Sequence, residues 1–377
     1  MINKRRLVKM FKQLARIDSL SLREGKVAKY VKKKLKALDI RAFTAGKVRA
    51  GEVGNLTTYL PGRGFNSPVL MINAHLDTVS PGRHARPIER GGHIYSDGRT
   101  VLGADNKAGV AAIIEILRTI KEKQLEHPPL RIIFTVAEEI GLNGAKALPD
   151  KYLKADFGLA IDGGDIEEIT TRAPSQYSLF ATIIGRSAHA GLHPEEGINA
   201  IKVASEAIAR MKLGRIDRET TANIGVIRGG QATNIVPDQV EMSGEARSHN
   251  AKKLDRQVEH MERVLFKACQ KRRARLKIRV ERTYRSFEIK RNEKMLALIM
   301  GIFKSSGLKP MIKSTGGGSD ANIFNERGVP TVILGVGADK VHTLKENIRI
   351  VDFAKGTENI LKIITGAGKW QSLKRKR

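Results

Sequence analysis

The sequence predicts an α/β protein into which a second, split β-α-β-β-α-β domain is inserted. Three observations carry that reading. Residues 69–76, 130–137 and 157–161 are nearly continuous apolar runs, as expected of strands buried on both faces. They alternate with helical patterns, most clearly over 104–123. From residue 173 to residue 286 the texture changes to short alternating strands around two helices, and then the α/β pattern resumes.

In chain order, Ile2, Leu7, Met10, Phe11, Leu14 and Ile17 fall at helical spacing, and the pattern is expected to run on without a break into a second helix over 27–38. This start lacks the compact apolar stretch of a secretory signal. Strands follow at 55–60 and 69–76, a helix at 104–123, and strands at 130–137 and 157–161. The inserted domain reads as strand 178–184, helix 198–211, strands 223–228 and 239–247, a long basic helix 252–270 and strand 276–284. A helix at 293–306, a Gly-rich loop at 316–318, a strand at 331–335 and a helix at 353–364 complete the first domain. The predicted domains are therefore 1–172 with 287–377, and 173–286.

A length of 377 residues suits two domains, and 41% hydrophobic with 28% charged residues excludes wholesale disorder. Cys269 stands alone, which excludes an internal disulfide and points to a reducing, cytoplasmic compartment. No apolar run approaches the roughly 18 residues of a membrane span. The net charge is +29, and three stretches hold all of it. Residues 1–50 carry 16 Lys/Arg against 3 Asp/Glu, residues 247–291 carry 16 against 5, and residues 369–377 carry 5 against none. Lys26, Lys29, Lys33 and Lys36 share one helical face opposite Val27, Val31, Leu35 and Leu38, the pattern of a solvated surface. Weak association with polyanions is compatible with that surface, but no specific nucleic-acid motif is present.

Five points at the ends of predicted strands carry His or carboxylate. On the first strand His75 and Asp77 stand two residues apart and share a side, so the carboxylate can orient the imidazole of a metal-holding His. Asp105 opens the helix at 104–123, where a capping role is equally open. Glu138 and Glu139 follow a buried strand directly, a costly placement for two like charges unless a cation compensates. Asp162 ends the next strand, and His342 follows the strand at 331–335. Two imidazoles, several carboxylates and no thiolate suit zinc, manganese or cobalt. No Gly-x-Ser-x-Gly elbow and no Gly-x-Gly-x-x-Gly unit is present, which argues against a serine nucleophile and against hydride transfer.

The string His75-Leu76-Asp77, Gly103-Ala104-Asp105-Asn106-Lys107, Glu138-Glu139-Ile140-Gly141, Asp162-Gly163 and His342 resembles the peptidase T-like metallopeptidases. These belong to the wider aminoacylase, carboxypeptidase G and desuccinylase superfamily, and the likeness spans essentially the whole chain. It implies a zinc-exopeptidase-like α/β catalytic domain with a ferredoxin-like dimerisation or lid domain inserted, acting as a homodimer. It also implies two divalent metal ions, most simply zinc. Asp105 would bridge them, with His75 and Asp162 on one and Glu139 and His342 on the other. Glu138 would be the general base and acid, Asp77 would orient His75, and the peptide bond after Asp105 would be cis.

By the same resemblance His189, in Gly185-Arg186-Ser187-Ala188-His189-Ala190-Gly191, would reach a neighbouring active site and donate to the oxyanion. Asn234 and Arg247 would grip polar groups of the substrate. Backbone N–H groups at Gly317 and Gly318 could bind a carboxylate. The implied activity is hydrolysis of short peptides, with release of an N-terminal residue from tripeptides. Deacylation of N-acyl amino acids by the same centre is the alternative, and an inactive polyanion-binding module is a third reading.

Overall fold

The computed structural model describes residues 1–369, so the basic tail at 374–377 lies outside the described residues. The chain separates into two compact units. One comprises Met1–Arg172, Glu288–Ser314 and the chain from Ser319 onward; the other comprises Ala173–Phe287 and Thr315–Gly318. The expected borders leave 315–318 with the first unit. These residues pack with the second because Gly318 lies against Tyr284, where a Cβ would stand 2.2 Å from the ring.

The first unit is built on a nine-stranded mixed sheet. Its centre is the parallel set Leu130–Thr135, Leu70–His75, Phe157–Gly163 and Thr331–Gly335, in that spatial order. Almost every residue of these strands is buried, which is why they read as unbroken apolar runs. Gly54–Leu60 and Phe43–Lys47 extend one side antiparallel, and Glu168–Ala173 with Phe287–Glu288 and Met311–Ser314 extend the other. The register sets His75 opposite Thr135, so the ends of neighbouring strands open at one level. Loops that follow parallel strands collect functional groups at such an edge.

The helix Ala104–Glu122 packs on Leu70–His75 and Phe157–Gly163, and the helices Lys4–Ala15 and Ile350–Gly366 pack on it in turn. Close approach to the sheet requires Gly109, since a Cβ there would lie 2.3 Å from the Ile161 carbonyl oxygen. The two N-terminal helices do not form one run, as the sequence pattern suggested. Lys4–Ala15 ends before a connection that bridges Leu20 to Thr78, and Gly25–Lys36 begins after it. A small four-stranded sheet of Ala338–Asp339, Asn347–Arg349, His93–Tyr95 and Ile88–Arg90 was also missed, because strands of two or three residues leave no periodic signal.

The second unit is an antiparallel sheet in the order Gly214–Arg215, Thr220–Gly229, Gln239–Ser248, Ser175–Ile184 and Arg275–Tyr284. The helices Ala200–Arg210 and Ala251–Arg272 cover it through a core that includes Leu179, Ile183, Val203, Met242 and Leu265. Leaving aside the two-residue edge strand, this is the β-α-β-β-α-β arrangement read from the sequence. Cys269 is buried in that core, a position that explains its apolar helix-face setting. Among the described residues, no helix is long and apolar enough to cross a membrane.

Phe11 anchors the N-terminal helix. It is fully buried and meets Phe353 edge-on with ring centroids 5.6 Å apart. Phe11→Ala is expected to destabilise the protein by about 3–5 kcal/mol, measured by urea unfolding; a loss below about 1 kcal/mol would show that the helix is not part of the core.

Candidate metal centre

The five sequence points in the first unit come together. His75 ends its strand with Nε2 2.9 Å from Asp105 Oδ1 and 3.3 Å from Asp162 Oδ1. His342 Nε2 lies 3.3 Å from the other Asp105 oxygen and 3.1 Å from Glu139 Oε1. Asp105 thus stands between the two imidazoles, one oxygen toward each. Donor atoms of His75, Asp105 and Glu139 all lie within 4.8 Å of one another, close enough to share one ion.

Asp105 is not a helix cap. Its backbone is non-helical (φ −83°, ψ 106°), the Asp105–Asn106 peptide bond is cis, and the capping bond comes from Asn106, whose Oδ1 accepts Gly109 N–H at 3.2 Å. Asn106 Nδ2 also donates to Asp162 Oδ1 at 3.0 Å, and Ser319 Oγ donates to Asp162 Oδ2 at 2.6 Å. Both fix a carboxylate while leaving its charge intact.

Asp77 does more than face His75. Its Oδ1 lies 3.4 Å from His75 Nδ1, whereas its own carbonyl oxygen is nearer, at 3.1 Å. The shorter bonds of the carboxylate go to the backbone N–H groups of Glu138 (3.0 Å) and Glu139 (3.1 Å) and to Ser21 Oγ (2.7 Å). Asp77 therefore holds the Glu138–Glu139 turn as well as the imidazole. Glu24 supports the same turn: fully buried, it accepts Ala137 N–H at 2.9 Å, and Ala137 sits at a positive φ of 52°.

Sequence reasoning missed Glu346. Its two oxygens accept the N–H groups of Gly103 (2.8 Å) and Asp105 (2.9 Å), so it clamps the loop that presents Asp105. It also missed Asp320, fully buried below the site and bonded to Thr135 Oγ1. A carboxylate directly after a Gly-rich loop and a Glu four residues beyond His342 were the only signals, and neither has a characteristic spacing.

The electrostatics test whether a cation fits. Five carboxylates, Asp105, Glu138, Glu139, Asp162 and Asp320, surround two imidazoles. Burial chiefly pushes Glu138 well above its ordinary range; Asp162, Asp320 and Glu139 add to this against the attraction of His75. Burial likewise raises Glu139, and lifts Asp320 to about 7. Burial opposes protonation of His75, but its bonds to Asp105, Asp162 and Asp77 outweigh that and raise it well above normal. Hydrogen bonds to Asp105 and Glu139 raise His342 to about 10. Glu138, Glu139, Asp320 and both imidazoles are driven to hold protons, whereas Asp105 and Asp77, despite their burial, are held below the usual carboxylate range by the imidazoles they face; the site as a whole has negative charge in excess. Divalent cations bound by imidazole and carboxylate would relieve it, so the donor set fits a metal centre.

The remaining candidates lie in the second unit. His189 is exposed, and its Nδ1 accepts the N–H groups of Gly191 and Leu192 at 3.2 Å each. That assigns the ring proton to Nε2, the form that can donate to an oxyanion. Asn234 is also exposed and accepts Ala190 N–H through its carbonyl at 2.9 Å. Arg247 meets Glu245 in two contacts, Nε–Oε1 at 2.8 Å and Nη2–Oε2 at 2.9 Å, and approaches the Gly316 carbonyl at 3.5 Å. The Gly317 N–H is engaged by Thr315 Oγ1 at 3.1 Å.

Residues 71–366 match peptidase family M20/M25/M40. A solved tripeptidase from Staphylococcus aureus is 40% identical, with a TM-score of 0.89 over 98% of this chain and 100% of its own. A solved aminopeptidase PepT from Bacillus cereus is 39% identical, with a TM-score of 0.83 over the same shares. The Bacillus subtilis protein YqjE is 38% identical over 372 residues, 98% of this chain and all of its own.

Glu346→Ala is expected to weaken metal affinity by about 10- to 100-fold through loss of the clamp on Asp105, read by isothermal titration of the chelator-stripped protein. An unchanged affinity would mean that the loop holds its shape without Glu346.

Proposed function

The chain belongs to the M20/M25/M40 peptidase family, and from that premise we propose that it is a metal-dependent exopeptidase that removes the N-terminal residue of short peptides, tripeptides above all. The observation that carries the reading is Asp105 set between His75 and His342, each imidazole also facing a further carboxylate. The names of the two solved relatives, a tripeptidase and an aminopeptidase, support the substrate class.

His75, Asp105 and Asp162 would hold one divalent cation and Asp105, Glu139 and His342 a second, with zinc the first choice for this donor set. When bound, such ions supply Lewis acidity, polarising a carbonyl oxygen and lowering the pKa of water. Glu138 moves the proton. Burial raises the proton affinity of its carboxylate, which suits it to accept a proton from the attacking water and pass it to the leaving amine. Asp77 keeps Glu138 in place through the backbone and leaves its side chain free to do this. His189 Nε2–H is assigned to the developing oxyanion in a homodimer, and Arg247 to the peptide carboxylate, a role in which the substrate competes with Glu245. The lone buried Cys269 is consistent with work in the cytoplasm.

Glu138→Gln is expected to lower kcat by about 100- to 10,000-fold with metal content unchanged, measured by metal analysis beside steady-state kinetics. Activity lost to a chelator should return with zinc, manganese or cobalt. On a panel of tripeptides, dipeptides and N-acetyl amino acids, tripeptides should be cleaved fastest; turnover of the acylated amino acids alone would replace the peptidase reading with deacylation.

A further inference from the structure

The metal centre does not account for the basic N-terminal helices. Of the 16 Lys/Arg in residues 1–50, only Arg6, Lys12 and Arg23 lie within ion-pair distance of a carboxylate among the described residues. The others are not scattered. A groove of about 580 Å³ runs along the helix Lys4–Ala15, lined by Lys4, Arg5, Lys9, Lys12 and Arg16 with one acid, Glu89, which Lys12 engages at 3.3 Å.

Lys9 extends this groove toward the next helices. There the half-buried Lys34 is the centre of a cationic cluster: its pKa is lowered by burial first, then by the charges of Arg118, Lys33 and Lys9, and no acid offsets them. Arg118 Nε is buried without a hydrogen-bond partner. Arg118 also lines a second groove of about 610 Å³ with Arg63 and Lys121; its acids are Glu122, held by Arg6, and Asp39, at 4.0 Å from Lys121. Two grooves thus join through one unneutralised cluster. Alongside, Lys26, Lys29, Lys33 and Lys36 are exposed and make a row with a step of about 5 Å.

We propose that this track is a docking surface for the phosphodiester backbone of a single-stranded nucleic acid, bound without regard to base sequence. A linear polyanion can neutralise both grooves and the cluster between them, whereas a small anion would fill only one. Of the two aromatic rings nearby, Tyr30 has Lys34 and Phe43 has Arg41 over one face, and Phe43 is half exposed, which offers a stacking surface that any base can use. A lipid surface is disfavoured because the apolar face of Lys4–Ala15, with Leu7, Met10, Phe11 and Leu14, is already buried in the core and nothing is left to enter a bilayer. An acidic protein would meet the same charges and the apolar side chains that also line the grooves, so binding of poly-glutamate as tight as that of a uridine 20-mer at equal salt would overturn the proposal. The proposal does not depend on the peptidase reading.

The test is fluorescence anisotropy of the full chain with a labelled uridine 20-mer, titrated at about 50–200 mM salt. Binding should weaken steeply with salt, and a DNA strand of the same length should behave alike. The variant Lys9→Gln/Lys33→Gln/Lys34→Gln should flatten the plot of log affinity against log salt by about 2, from about 0.7 per lost contact, with peptidase turnover and thermal midpoint unchanged. Lys252→Gln/Arg256→Gln/Lys267→Gln removes equal charge from exposed positions on the helix of the second unit and should leave the slope as it was. Equal losses in both variants, no binding at the lowest salt, or capture by phosphatidylserine vesicles without binding of either strand would each overturn the proposal.

Discussion

A buried excess of negative charge governs the larger unit. Taking carboxylates out of water is expensive, and several in one place compound the cost. The sheet accepts this at the edge where Leu70–His75, Leu130–Thr135, Phe157–Gly163 and Thr331–Gly335 end together. Two imidazoles are too few to balance five carboxylates. The free-energy deficit can be met by protons, as the raised Glu138, Glu139 and Asp320 indicate, or by cations. Because the acids stand at the ends of buried strands and on loops tied by hydrogen bonds, they are held together against the repulsion.

Rigidity at this edge comes from carboxylates of a second kind. Asp77, Glu24 and Glu346 are buried, yet each accepts two backbone N–H groups, Asp77 and Glu346 with both oxygens and Glu24 with Oε1 alone. They tie loops that are remote in sequence: 22–24 to 137, 77 to 138–139, and 346 to 103–105. Neutral donors stabilise an acid without introducing another cation to compete for the ligands. Asn106 and Ser319 do the same for Asp162. The geometry of the charged site is therefore set by hydrogen bonds between loops, and packing of the parallel strands beneath fixes where those loops start.

Much of this was legible in the sequence. The apolar runs at 69–76, 130–137 and 157–161 located the buried strands because both faces are covered, and the acids and imidazoles at their ends followed. The resemblance drawn from His75, Asp105, Glu138, Glu139, Asp162 and His342 agrees with the family match. What stayed hidden acts across long sequence separations: Glu346 works on residues some 240 positions earlier, and Glu24 on a turn 113 positions later. Asp105 looked like a cap because it opens a helix, while Asn106 next to it is the cap. Arg247 and Glu245 were readable as a pair, since alternate residues of a strand share a side, but attention to a substrate carboxylate passed over the internal one. The small sheet around His342 was invisible for want of length.

The order in which the chain is made gives the Glu346 clamp another meaning. A ribosome releases the strands bearing His75, Glu139 and Asp162 long before His342 and Glu346 exist, and the whole Ala173–Phe287 unit is synthesised in between. Domains tend to fold as they emerge, so the second unit can be complete while the first still lacks the strand Thr331–Gly335 and the loop beyond it. During that interval the Asp105 loop has no anchor. The segment from His342 to Glu346 thus works as a latch on the nascent protein, and assembly of the charged site is deferred until that segment has been made.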